Sequence, residues 1–349
     1  MSSSEKAVWL PVSEPRQLIC VGSYTSETGG KGAGITTFWR DTGTGELTES
    51  GRLALVSPSW LTWHPRLPVL YAVNELPEGT VTAVSVSETA ELTALNSLAT
   101  GGADPCHLAV TPDGRHLLCA NYTGGNLAVF SLAPDGLLGE RTDLVAHEGS
   151  GPDADRQEAA HVHMAVVSED GSIVSAVDLG TDEIRSYTLS EDGRLTPLAV
   201  SALPPGTGPR QLVRRPGTGY AYVVGELSST VLTVREEPPG AFTVEDVTSA
   251  IAAPGPRNLV AHLEIVGETM YVSNRGADCV TAFEFDGPLP RAVTDYPANG
   301  WPRHFTVLDG HCYAASQNDN ELLAFSLAPG AAVTRYPTGT PVFLLPRPV

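Results

Sequence analysis

Lysine is almost missing from this sequence: Lys6 and Lys31 are the only two in 349 residues, and the other 19 basic residues are arginines. Basic residues are also outnumbered, 21 against 40 Asp and Glu, which gives a formal charge of −19 with no run of Lys or Arg to interrupt it. That balance argues against nucleic acid, whose binding depends on neutralising phosphates, and against anionic membrane surfaces. No stretch approaches 18 consecutive apolar residues, so no helix is expected to span a bilayer. The opening residues 1–11 lack the basic start and apolar stretch of a signal peptide. Cysteine is scarce and odd in number. Cys20, Cys106, Cys119, Cys279 and Cys312 make no CxxC pair and no metal-finger spacing, and read as small buried hydrophobes in a reducing compartment. A soluble cytoplasmic chain is expected, as a monomer or weak homodimer.

Helical periodicity is missing too. In its place are short β-rich runs, cut every 8–12 residues by turn signals such as Pro112-Asp113-Gly114, Glu169-Asp170-Gly171 and Glu191-Asp192-Gly193. The runs repeat. A strand ends in a polar or small residue at Asn74, Asn121, Asp178, Gly225, Asn274 and Ser316, in steps of 47, 57, 47, 49 and 42 residues. Another strand precedes each, opening at Pro58, Pro105, His161, Pro209, Arg257 and Pro302, and a further run follows, as at 127–130, 184–187, 280–283 and 322–325. Residues 341–345 look like an opening strand with nothing after it, and 17–24 like a middle strand with nothing before it. Joined, they complete a seventh unit and close a ring, which removes exposed sheet edges. The expectation is an all-β, seven-bladed propeller over 1–349 as one domain, with 1–15 as a flexible arm. Two β-sandwiches would need a linker near the middle, and none is visible.

Equivalent positions in a propeller ring one face. The middle strands bring Glu75, Asn121, Tyr122, Asp178, Glu226, Arg275 and Gln317 to it, and the opening strands add His107, His161, His163, Arg210, Arg303 and His304. Histidines, carboxylates and arginines converging on one rim suit a small anionic molecule. Asn and Asp at such places also terminate strands by bonding to the backbone. His161 and His163 are two apart, so both rings would face one side of a strand. They read as a metal pair with Asp153 and Asp155 nearby, as one substrate-handling imidazole beside a structural one, or as satisfied core histidines. No nucleophile elbow is present. The glycine-rich segment Gly29 to Gly34 leads into a strand and not a helix, so it reads as a flexible hairpin loop and no phosphate loop. Acid–base chemistry by His and Glu, with arginines holding an anion, remains. No metal and no cofactor are expected.

These residues carry a resemblance. The stretch 149–163, with Arg156, Glu158, His161 and His163, followed by 177–184, is similar to the seven-bladed lactonase family of 6-phosphogluconolactonases and fungal carboxy-cis,cis-muconate lactonizing enzymes. Further matches lie at 120–125, Gly208-Pro209-Arg210, 223–230, 271–276 and 302–305, spanning nearly the whole chain. The resemblance implies a catalytic set of His163, Arg210, Glu226 and Arg275. His107, Asn121, Arg156, His161, Asp178, Arg303, His304 and Gln317 stand around it as substrate-binding candidates. In a lactonase, His163 or Glu226 would activate water and the arginines would hold the anion and the oxyanion. Gly225, Gln211 and Ser316 depart from the family's usual Asn, His and Asn, and would thin the polar rim. The expectation is a lactonase acting on an anionic sugar-type lactone. A muconate-type cycloisomerase or lyase and a non-enzymatic binding platform are the alternatives.

Overall fold

The computed structural model describes residues 16–348 apart from 254, 256 and 329, so the arm expected over 1–15 lies outside the described residues. Seven four-stranded antiparallel sheets account for the fold. Six are continuous in sequence, with inner strands Leu61–Trp63, Pro105–Val110, Val162–Val167, Pro209–Arg215, Leu259–Val266 and Pro302–Leu308. The seventh takes its inner strand, Pro341–Pro346, from the C-terminal end and its other three, Arg16–Ser23, Ile35–Asp41 and Leu47–Leu53, from the N-terminal end. The protein is therefore the seven-bladed propeller that the repeat implies, closed by strands from both ends of the chain.

The second strand of each blade carries an unbroken apolar run because both of its faces are covered. Val69–Asn74 and His116–Asn121 are buried at every position. Alternate side chains point to opposite faces, so Leu70 and Ala72 pack into one inter-blade seam while Tyr71 and Val73 pack into the next. Seven apolar clusters result, one per seam. Each large side chain buried there is worth roughly 1.5–3 kcal/mol. Sequence patterning gives three strands per unit, and the structure adds a fourth at the periphery. Leu92–Ala99 and Phe242–Ser249 are exposed at half or more of their positions, with polar residues interrupting their apolar ones, so no continuous apolar run marks them.

One irregularity positions the site. The inner-strand ladder slips at the same place in six blades, leaving Cys106, His163, Arg210, Ala261, Arg303 and Val342 as the extra residue. A bulge re-aims its side chain, and all six line the central channel. The glycine segment is not the free loop expected. A Cβ on Gly30 would sit 2.2 Å from the carbonyl oxygen of Tyr24, and the Lys31 N–H donates to Thr340 Oγ1 at 2.9 Å. The loop thus braces Tyr24 against the turn before the closing strand.

Candidate active site

The channel is lined by two residues per blade, in six blades the bulge residue and the one after it and in the remaining blade Ser59 and Trp60. The second of each pair forms a plug. The Trp60 ring lies 4.2 Å from both His107 and Phe343, while His304 lies 4.0 Å from Phe343 and 3.7 Å from His262. Burial pulls His107 and His262 down to about 3 and His304 well below the ordinary imidazole value, so all three are neutral. His107 and His304 were expected at the substrate. They lie one step deeper, in stacked ring contacts, because each is the residue after the bulge.

Above the plug the four residues of the implied catalytic set meet. Glu226 follows the second strand of its blade and is only 2% exposed. Its Oε2 accepts from Arg210 Nη1 at 2.7 Å and pairs with Arg275 Nη2 at 2.8 Å, and its Oε1 accepts from Arg156 Nη2 at 2.7 Å. Arg210 Nη1 also donates to His163 Nε2 at 2.7 Å. An arginine here can only donate, so His163 Nε2 is the acceptor and the ring proton sits on Nδ1. Burial, then the Arg210 charge, holds His163 well below its ordinary value, so it is neutral at pH 7. Burial alone would raise Glu226, but Arg275, Arg210 and Arg156 outweigh it and hold the carboxyl well below the usual carboxylate range. Carbonyls of Leu259, Val260 and Ala261 fix the Arg275 and Arg210 guanidiniums from behind.

Arg156 reaches the cleft from the 149–158 loop, which is built around the buried Gln157. That amide donates to Leu179 O at 2.9 Å and accepts from the Asp153 N–H at 3.2 Å. Asp153 itself takes the N–H groups of Asp155 and Arg156, so this segment is a folded turn. No group of three or more His, Cys, Asp or Glu able to hold a metal occurs among the described residues. Arg303 differs from the other three arginines. It lies over the Tyr24 ring at 5.2 Å and makes no hydrogen bond or ion pair among the described residues. Tyr24 in turn donates to Glu75 Oε1 at 2.7 Å. Tyr24 and Glu75 complete the cleft; Glu75 was placed on the rim but given no role, and Tyr24 was missed. The signal was the repeat itself, since both follow the strand-end residue just as Glu226 and Arg275 do.

Other expectations are corrected by burial. Asn121 is fully buried and donates to Asn126 Oδ1, tying its own hairpin together. Asp178, also fully buried, takes the N–H groups of His161, Gly180 and Thr181 and pairs with His147, which Tyr187 contacts in turn. Neither is open to a substrate. His161 precedes its strand, stacks on Tyr122 at 4.5 Å and has both ring nitrogens engaged, so it supports Tyr122. Gln317 stays beside the cleft, its buried Oε1 without a partner among the described residues. The three family departures fall outside the cleft. Ser316 binds the carbonyls of Asn299 and Gly300, and Gln211 locks the Leu263 backbone within the plug. At Gly225 a Cβ would strike Ser228 Oγ at 2.3 Å, so paired hydroxyls of Ser228 and Thr230 fill that corner. The rim is therefore not thinned. Cys106, though beside His163, is no nucleophile, because burial pushes its thiol far up.

Comparison with known proteins shows the family. The family model described as lactonase, 7-bladed β-propeller matches residues 18–333. The 6-phosphogluconolactonase of Bacillus subtilis is 33% identical over 317 residues, covering 87% of this chain and 89% of that one. A periplasmic gluconolactonase of Pseudomonas aeruginosa superposes with a TM-score of 0.87 at 26% identity, over 95% of this chain and 99% of that one. A Bacteroides fragilis protein provisionally designated a 6-phosphogluconolactonase gives 0.88 at 27%, over 97% and 100%. The chain belongs to the seven-bladed β-propeller lactonase family.

Proposed function

We propose that this cleft hydrolyses a sugar-type lactone carrying a fixed negative charge, a phosphate or carboxylate, as in 6-phosphogluconolactone. The observation that carries this reading is charge. Arg156, Arg210, Arg275 and Arg303 gather around the buried Glu226, with Glu75 beside them and the exposed Glu158 at the edge, so guanidiniums outnumber buried carboxylates at this spot on a chain of net −19. Long-range repulsion is screened beyond roughly 10 Å, so the local guanidiniums govern what enters. Arg303 has its donors uncommitted and takes the substrate's permanent anionic group. Arg210 and Arg275, held from behind by backbone carbonyls, face the lactone carbonyl oxygen, where negative charge develops as water adds. Glu226 fixes their spacing. Relatives named 6-phosphogluconolactonase and gluconolactonase support the reaction class. A buried carboxylate and imidazole set beside arginine suit an enzyme better than a binding platform.

The test is acid release from 6-phosphogluconolactone and from carboxylated lactones by the purified protein. Turnover is expected, with Arg210→Ala lowering kcat/KM at least about 100-fold, the scale of removing one oxyanion donor. Absence of turnover with every anionic lactone would contradict the proposal.

A further inference from the structure

Hydrolysis needs a group that takes a proton from water, and the two obvious candidates are already engaged. His163 is neutral, but its one basic nitrogen, Nε2, accepts from Arg210 at 2.7 Å. Glu226 has both oxygens on guanidiniums, three in all, an arrangement that suppresses its basicity. A lone pair bound to a guanidinium N–H is unavailable to water until that contact breaks.

Glu75 is arranged differently. It follows the strand Val69–Asn74 at the position that Glu226 occupies three blades on, so the repeat brings both carboxylates to the same face. Its Oε1 accepts from the Tyr24 hydroxyl at 2.7 Å, which fixes the carboxylate's rotation. Burial pushes the Tyr24 phenol up, so that hydroxyl stays a donor at neutral pH. The second oxygen, Oε2, is buried and accepts no hydrogen bond from any described residue. Such an atom costs about 1–3 kcal/mol or more unless something meets it, and buried orphans in folded proteins call for a reason. Tyr24 ties Glu75 to the cleft, since the Arg303 guanidinium lies 5.2 Å from the centre of the same Tyr24 ring.

We infer that Glu75 is the general base of this site, an inference that rests on the lactonase reading above. Glu75 Oε2 takes a proton from water as the water oxygen bonds to the lactone carbonyl carbon. The carbonyl oxygen gains the electron pair and is met by Arg210 and Arg275. As the carbonyl reforms, the bond to the ring oxygen breaks and that oxygen receives the proton from Glu75. One water is consumed, and the product hydroxy acid ionises to solvent. Tyr24 is a positioning residue that never transfers its own proton. Glu226 is the clamp for three arginines.

The two assignments separate by mutation once wild-type turnover of 6-phosphogluconolactone is in hand. Without wild-type turnover of any anionic lactone, the lactonase reading itself falls, and the base with it. Given turnover, Glu75→Gln keeps the acceptor for Tyr24 and removes the base, so kcat is expected to fall about 10²–10⁴-fold with KM within about threefold. Glu75→Ala with added sodium formate guards against a folding artefact, because formate is expected to restore at least tenfold of the lost rate. Tyr24→Phe should lower kcat less, by about 3–10-fold, with no formate rescue. Retention of wild-type kcat within a few-fold by Glu75→Gln would overturn the assignment while leaving the lactonase reading intact. So would failure of formate to raise the rate of a folded Glu75→Ala protein.

Discussion

Two carboxylates of one type, Glu226 and Glu75, differ because of what surrounds them. Glu226 is surrounded by guanidiniums, and removing its charge leaves Arg156, Arg210 and Arg275 buried without their counter-ion. Glu226→Gln is expected to destabilise the fold by about 3–5 kcal/mol, the scale for breaking a buried ion pair from one side, and to lower kcat/KM at least about 100-fold. Thermal unfolding and steady-state kinetics on the same preparation check both. Asp178 provides the contrast. Its carboxylate joins His147 and three backbone N–H groups away from the cleft. Asp178→Ala should cost about 3 kcal/mol while the KM of the folded protein stays within about twofold. A large KM change would put Asp178 back at the substrate. Both residues end or follow a repeated strand, so position in the repeat alone could not separate them. What separates them is one residue of offset: strand-end side chains turn into the hairpin, and the next ones face the cleft.

Within the blade, the decisive element is the inner strand with its bulge. A regular strand would alternate faces, and His163 and Arg210 owe their aim to the extra residue that breaks the alternation. Sequence patterning shows the strand but not the bulge, because no turn residue marks it. For that reason His107 and His304 read as rim residues from sequence and lie in the plug. The plug has a measurable consequence. Burial first of all keeps His107, His262, His304 and His163 below the ordinary imidazole value. A histidine with a folded pKa below its unfolded value, near 6.5, takes up protons on unfolding, so stability rises with pH across that interval. The contribution is complete above about pH 6.5 and is lost as pH falls toward about 3, where His107 and His262 take up their protons in the folded state. Depressed carboxyls at Glu226 and Asp178 add a further loss below about pH 4. The Tm should therefore change little from pH 7.5 to about pH 6.5 and fall from there to pH 5. A Tm unchanged over that interval would mean these imidazoles are not buried neutral.

At the scale of the whole molecule, the ring closure was legible because its two halves stand at opposite ends of the sequence, each an incomplete unit. The inter-blade packing shows only in the folded ring. Tyr71, Tyr222 and Tyr313 share a repeat position, and each hydroxyl reaches the outer hairpin of the next blade, at Gly136, Pro288 and Gly45. The four central residues were legible one by one, but Tyr24 was not, and Tyr24 and Glu75 become neighbours only when the first and seventh blades meet. Charge shows the same limit. A net −19 is a property of the surface, whereas the cleft draws on four of the nineteen arginines. The measurement that tests this most directly is the ratio of kcat/KM for 6-phosphogluconolactone to that for uncharged gluconolactone, in wild type and Arg303→Ala. The account predicts a wild-type preference of at least about tenfold for the charged lactone. It predicts that Arg303→Ala removes most of this preference through KM, by about 10–100-fold as befits a charge-assisted contact, with Tm unchanged. Equal use of both lactones by the wild type, or a preference that survives Arg303→Ala, would contradict it.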